Sequence, residues 1–185
     1  MHRSTLREAA QVIKKGGIVA YPTEAVYGLG CDPLNGSAVH RLLWLKQRPV
    51  AKGLILIASS FTQLRPYVTD IGEEYLQRAF ATWPGPMTWL MPATEFTPSW
   101  IKGEHTSIAV RVTAHPLAAA LCNAVNGPIV STSANRSGAA MARTAGEVRQ
   151  VFGDSIDYVL EGETGGSDQP TEIRNVMTNE VIRSG

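Results

Sequence analysis

The 185-residue chain is short of most features that would assign a function at a glance. It has two cysteines, Cys31 and Cys122, too few for a disulfide framework and without metal-type spacing. It has almost no excess charge: 17 Lys+Arg against 16 Asp+Glu leave +1, which excludes a broadly basic, histone-like nucleic-acid binder. No window approaches the roughly 18 uninterrupted apolar residues of a membrane span. Met1-His2-Arg3-Ser4 leads into a polar segment without the apolar core of a secretory signal, so a soluble cytoplasmic protein is expected. Charged residues make up only 18% against 44% hydrophobic, which argues against intrinsic disorder and for one packed domain over residues 1–185.

Familiar catalytic signatures are missing too. There is no G-x-x-x-x-G-K-[ST], so a P-loop is excluded. Tyr27-Gly28-Leu29-Gly30 begins like a dinucleotide fingerprint, but Pro33 stands where the third glycine belongs. The four histidines (His2, His40, His105, His115) form no H-E-x-x-H and read as surface or capping residues. Ser99-Trp100-Ile101-Lys102 and Ser133-Ala134-Asn135 match two elements of the acyl-serine penicillin-interacting enzymes. The third, K-T-G, is missing, and Ser99 follows Pro98 in a loop-like segment with no long helix to present it.

What is present is a separation of charge. No acid lies between Asp32 and Asp70, an interval containing Arg41, Lys46, Arg48, Lys52 and Arg65. From Glu147 onward eight acids (Glu147, Asp154, Asp157, Glu161, Glu163, Asp168, Glu172, Glu180) face three arginines, Arg149, Arg174 and Arg183. A neutral chain with one acid-free basic stretch points to a local anion site or to solvated surface charge.

Apolar periodicity gives alternating helices and strands. Thr5-Leu6-Arg7-Glu8 is a capping-box pattern opening a helix that Gly16-Gly17 closes. Ile18-Val19-Ala20-Tyr21 is of strand length, and residues 22–33, rich in Gly and Pro, read as a loop. A helix is predicted over 37–47 and stopped by Pro49. Leu54-Ile55-Leu56-Ile57-Ala58, with no polar alternation, reads as a strand covered on both faces. A second capping pattern, Asp70-Ile71-Gly72-Glu73, predicts a helix to Ala81, and strands are predicted at 87–91 and 108–112. His115-Pro116 opens a helix closed by Gly127, a strand follows at 128–132, and Thr144-Ala145-Gly146-Glu147 caps a helix to Phe152. Short strands near Tyr158, Ile173 and Val181 complete an α/β domain with a mixed sheet.

Two constellations carry chemistry. Lys46-Gln47-Arg48-Pro49 and Lys52 place three cations within seven residues at a helix–strand junction. They could surround a polyphosphate, Arg by forked hydrogen bonds and Lys as point charges, or Lys46 and Arg48 could simply complement the helix dipole. Ser131-Thr132-Ser133-Ala134-Asn135 puts hydroxyls and an amide just beyond a strand's carboxyl end, either a ligand-binding edge or an ordinary polar turn.

Four ordered blocks resemble the YrdC family, whose members are threonylcarbamoyl-AMP synthases of tRNA modification. They are residues 20–30 (Ala20-Tyr21-Pro22-Thr23-Glu24-Ala25-Val26-Tyr27-Gly28-Leu29-Gly30), Lys46-Gln47-Arg48-Pro49, Ser107-Ile108-Ala109-Val110-Arg111, and Ser131-Thr132-Ser133-Ala134-Asn135. Pro170-Thr171-Glu172-Ile173 and Arg183 extend the match. The resemblance implies an open α/β fold in the short single-domain form, a twisted mixed sheet with helices on both sides and a basic concave cavity. It implies synthesis of threonylcarbamoyl-AMP from ATP, L-threonine and bicarbonate with release of pyrophosphate. Other proteins would then transfer the group to tRNAs that read codons starting with A.

Carried over by motif, Lys46, Arg48 and Lys52 correspond to a triphosphate clamp, with Lys46 and Arg48 as the catalytic pair. Ser107, Ser133, Asn135 and Arg183 correspond to nucleotide contacts, and Tyr21, Thr23, Arg111, Ser131 and Thr171 to the threonine site. Mg²⁺ would accompany ATP, and no resident metal ligand is expected. The chain departs from the family pattern at Ala25, at Lys52-Gly53 and at Ile57. The competing reading is a binding module that holds structured RNA, such as tRNA, in the basic concavity without chemistry. An RNA face would more often show exposed stacking aromatics or a wider basic stripe.

Overall fold

In the computed structural model, which describes residues 3–167 and 169–184, the apolar run at 54–58 lies in the middle of the sheet. His2 and Asp168, named above, lie outside the described residues. The strands are β1 (Val19–Pro22), β2 (Tyr27–Gly30), β3 (Ile55–Ala58), β4 (Met87–Pro92), β5 (Ser107–Val112), β6 (Ile129–Ser133), β7 (Tyr158–Val159), β8 (Glu172–Asn175) and β9 (Val181–Arg183). The helices are α1 (Arg3–Lys14), α2 (Gly36–Leu45), α3 (Phe61–Leu64), α4 (Glu73–Phe80), α5 (Ser99–Lys102), α6 (Pro116–Val125) and α7 (Ala145–Phe152). Strand order is β7-β1-β2-β6-β3-β5-β4-β8-β9. The pairs β1–β7, β3–β5 and β4–β8 are parallel and the rest antiparallel, so the sheet is mixed and open.

Successive residues of a strand point to opposite faces, and the core divides accordingly. Ile57 packs with Ala9 and Ile13 of α1 and Leu117 and Leu121 of α6. Leu56 and Ala58 pack with Val39 and Leu42 of α2, in a cluster that also holds Val148 and Phe152 of α7. Helices therefore cover both faces, and an apolar run without alternation is what a doubly covered strand requires. Trp89, 2% exposed, is core.

Several predicted boundaries move. The helix α1 already includes Arg3, so Thr5 sits inside its first turn and the predicted Thr5–Glu8 capping box is overturned. The Asp70–Glu73 box is also replaced: Gly72, at φ 85°, precedes a helix that begins only at Glu73, and Asp70 Oδ1 accepts from the Gly72 amide in a local turn. The predicted loop 22–33 contains β2. Its glycines answer to crowding, because a Cβ on Gly30 would sit 2.8 Å from Tyr21 Cε1 and also press on the Val130 carbonyl. The helix α6 starts at Pro116 under His115, whose Nδ1 accepts from Ala118 N at 3.4 Å, and Asn126 in αL geometry closes it one residue before Gly127. Lys46 is the C-cap of α2.

The Thr144–Glu147 box forms in full: Thr144 Oγ1 accepts from Glu147 N at 3.2 Å, and Glu147 returns a carboxylate to the cap amide. Thr144→Ala should lower stability by about 1 kcal/mol. A denaturation midpoint that does not move would show that the box contributes nothing.

Candidate active site

Two adjoining recesses open where the ends of β2, β3, β5 and β6 meet β8 and β9. The first, about 220 Å³, is lined by Thr23, Ala25, Arg111, Ser131, Ser133, Met141 and Thr171 among others. The second, about 210 Å³, is lined by Lys52, Lys102, His105, Ser107, Ile108 and Ile182 among others. Arg48, Leu54, Ile55 and Arg183 belong to both linings and form the shared wall. No carboxylate lines either recess among the described residues.

The first recess is framed by the 23–26 turn and by β5. Thr23 Oγ1 donates to the Val26 carbonyl at 2.7 Å, which ties the turn between β1 and β2. Arg111 is 4% exposed; its Nη1 donates to Thr171 Oγ1 at 2.8 Å and its Nη2 lies 3.3 Å from Glu24 Oε2. The other Glu24 oxygen, Oε1, accepts from Thr113 Oγ1 at 2.6 Å and from Ala114 N at 3.1 Å. Burial would raise the Glu24 pKa, but the Arg111 charge and these hydrogen bonds outweigh it and hold the carboxyl below its ordinary value. Arg111 Nε and Glu24 Oε2 remain buried without a hydrogen-bond partner.

At the shared wall, Arg48 Nη2 donates to the Gly53 carbonyl at 2.9 Å and Arg183 Nη2 to the Thr171 carbonyl at 2.7 Å. Burial lowers the pKa of both, and for Arg183 the charges of Arg111 and Arg48 add to it. Neither Arg48 nor Arg183 pairs with a carboxylate among the described residues. Three guanidiniums thus converge with one carboxylate between them, an arrangement that favours an anion.

Lys46 has a different place from its neighbours. It is 6% exposed, lines neither recess, and donates from Nζ to the Ser133 carbonyl, to the Asn135 carbonyl at 2.9 Å and to Asn135 Oδ1 at 2.9 Å. Burial, then the nearby Arg48 charge, bring its pKa down to about 8. All three ammonium protons are spent on the 133–135 turn, so the ammonium secures that turn from behind while Arg48 and Lys52 reach the recesses. Ser133 Oγ also donates to Asn135 Oδ1, at 2.8 Å, and Asn135 Nδ2 donates to the Ala139 carbonyl. Asn135 lines neither recess.

Of the other residues named from sequence, Thr23, Arg111, Ser131, Ser133 and Thr171 gather in the first recess, and Lys52 and Ser107 in the second. Tyr21 is fully buried beneath the floor: its hydroxyl donates to the Val130 carbonyl at 3.1 Å, and burial raises its pKa. Ala25 lines the first recess, whereas Ile57 packs on the α1–α6 face away from both.

Met141, Lys102 and His105 were missed from sequence. The signal for Lys102 was a repeated Lys-Gly pair: Lys52-Gly53 and Lys102-Gly103 form abutting turns, with Leu54 N donating to the Ile101 carbonyl at 2.8 Å. Both glycines have positive φ, and a Cβ on Gly103 would come within 2.7 Å of Gly53 N. Only glycine permits that approach, and it brings both lysines to one recess.

Comparison with known proteins places these features among relatives. A family model for Sua5, YciO and YrdC proteins, described as "telomere recombination", matches residues 11–185. The threonylcarbamoyl-AMP synthase of Coxiella burnetii (strain RSA 493) is 48% identical over 182 residues, covering 98% of each chain. That of Pseudomonas aeruginosa (strain UCBPP-PA14) is 52% identical over 175 residues, covering 95% of this chain and 94% of the other. The structure of P. abyssi Sua5 complexed with L-threonine superposes with a TM-score of 0.92 at 34% identity, over 99% of this chain and 54% of that one. This chain thus spans about half of Sua5. E. coli YciO matches at a TM-score of 0.84 and 25% identity, over all of this chain and 90% of that one.

Proposed function

The chain belongs to the Sua5, YciO and YrdC family, and from that premise we propose that it makes threonylcarbamoyl-AMP from ATP, L-threonine and bicarbonate, releasing pyrophosphate. The observation that carries this reading is how the residues sort. The threonine-type contacts occupy one recess, Lys52 and Ser107 occupy the other, and two guanidiniums without counter-ions among the described residues stand in the wall between.

The chemistry needs that division. The threonine amine attacks bicarbonate carbon and water leaves, giving an N-carboxylate. One oxygen of that carboxylate attacks the α-phosphorus in line, and the bond from phosphorus to the bridging oxygen breaks as pyrophosphate departs. No protein nucleophile is required; the protein positions two anions and neutralises charge at their junction. Arg48 and Arg183 are suited to the α-phosphate and the attacking carboxylate. Lys52, Lys102 and Ser107 suit the remainder of the nucleotide, and Arg111, Thr23, Ser131 and Thr171 suit threonine. Lys46 and Asn135 position Ser133. The lining offers no carboxylate to a metal, so Mg²⁺ would arrive on the nucleotide and supply charge neutralisation there.

The product is a mixed anhydride that water destroys, so transfer proteins would take it onward to the adenosine beside the anticodon in tRNAs reading codons that start with A. These steps suit a cytoplasmic enzyme. Charge gathered in small recesses fits a nucleotide and an amino acid better than the backbone of a structured RNA.

Pyrophosphate release measured with and without threonine and bicarbonate tests the assignment. Release is expected only with all three substrates; release that ignores threonine overturns it. Salt-sensitive RNA binding with no nucleotide turnover would favour the binding module instead.

A further inference from the structure

The unequal compensation of the three arginines has a consequence for selectivity. Arg111, Arg48 and Arg183 all face the recesses, yet among the described residues only Arg111 has a carboxylate beside it. That carboxylate, Glu24, lines neither recess and reaches the site only through Arg111. It is firmly aimed: Thr113 Oγ1 and Ala114 N fix Oε1, leaving Oε2 to face the guanidinium at 3.3 Å. Its own turn is strapped in place from the far side, where Gly165 N donates to the Thr23 carbonyl at 2.9 Å and Ser167 N to the Glu24 carbonyl at 3.0 Å. Arg111 meets the first recess with its charge offset. The carboxylate beside Arg111 penalises a ligand with net negative charge in that recess.

We propose that Glu24 is a specificity-determining positioning residue: by offsetting Arg111, it reserves the first recess for a zwitterionic amino acid and keeps phosphate anions at the uncompensated Arg48–Arg183 wall. This rests on the assignment of the first recess to threonine. Without Glu24 the recesses would form one continuous anion sink. Substrate triphosphate, product pyrophosphate and free phosphate would then settle where the amino acid must sit.

The test is direct titration with threonine and inorganic phosphate, which does not depend on turnover, with threonine-dependent pyrophosphate release run alongside. In the wild-type protein, phosphate should weaken ATP binding and leave threonine affinity within about twofold, the scale of ordinary screening. In Glu24→Gln, which keeps an acceptor for Thr113 and Ala114 but removes the charge, phosphate affinity should rise at least about tenfold. Phosphate should then compete with threonine, so the apparent KM for threonine climbs with phosphate while kcat holds. Glu24→Asp should restore wild-type selectivity. Glu24→Ala serves as a second uncharged variant with the same expectation as Gln.

Equal competition by phosphate against threonine in the wild-type protein overturns the proposal, as does a folded Glu24→Gln whose threonine affinity ignores phosphate. Failure of pyrophosphate release with selectivity intact would count against the catalytic assignment and leave the charge assignment standing.

Discussion

Lys46→Met should lower threonine-dependent pyrophosphate release about a hundredfold, the typical cost of misplacing a substrate-positioning group by roughly 1 Å. The loss should fall on kcat more than on folding. Removing the ammonium strips donors from three acceptors, the carbonyls of Ser133 and Asn135 and Asn135 Oδ1. It also removes the cost of burying a charge, so net destabilisation should stay within about 2–3 kcal/mol. Lys46→Arg should not restore activity, because a planar fork cannot direct three protons at three converging oxygens. Unimpaired turnover by either variant would show that the 133–135 turn holds its shape without the ammonium.

The depressed pKa of Lys46 adds a pH signature in which activity and stability part company. Its folded value is about 8 against an ordinary 10.5. Below about 8 both folded and unfolded chains carry the proton, and the burial cost is fully present. Between those values the unfolded chain keeps a proton that the folded chain has lost, so stability rises with pH across that window. The neutral amine has one donor fewer for the turn, so kcat/KM should fall as pH passes about 8. Turnover and thermal midpoint, measured over one pH series, should therefore move in opposite directions.

That ammonium also marks where sequence reading stops. Cation spacing alone identified Lys46, Arg48 and Lys52 as a cluster, but a cation's partners can lie anywhere in the chain. Those of Lys46 are 87 and 89 residues away and are brought close by the antiparallel pairing of β6 with β3. The clean helix caps and the doubly covered strand were legible because each depends on neighbours a few residues off, as at Thr144–Glu147 and at 54–58. The strand β2 was hidden because Tyr-Gly-Leu-Gly has the composition of a turn, while its glycines serve the approach of Tyr21 and Val130. Glu24 was visible as a letter inside a motif, but its meaning depends on Arg111, which only the sheet sets beside it.

The same dependence on the folded sheet governs the largest effect expected. Arg48 follows α2, and Arg183 lies on β9 at the far edge of the sheet, yet the two share one wall. Each should contribute a charge-assisted contact of about 1.5–3 kcal/mol to phosphate. Losing both should cost about 3–6 kcal/mol of transition-state stabilisation, on the order of a hundredfold to ten-thousandfold in kcat/KM for ATP. Single substitutions should sum to less than the double, because loss of one guanidinium relieves the repulsion on the other, which can then partly cover for it. Stability should not follow activity down: Arg48 is half-buried and Arg183 exposed, and neither has a carboxylate beside it among the described residues, so Arg48→Ala with Arg183→Ala chiefly relieves the repulsion between them. A rise or no change in thermal midpoint alongside a collapse of ATP-dependent turnover would mark the wall as a place where folding stability is given up for anion binding. Turnover that survives the double substitution would place the reacting phosphorus elsewhere and sink the division of the two recesses on which the assignment stands.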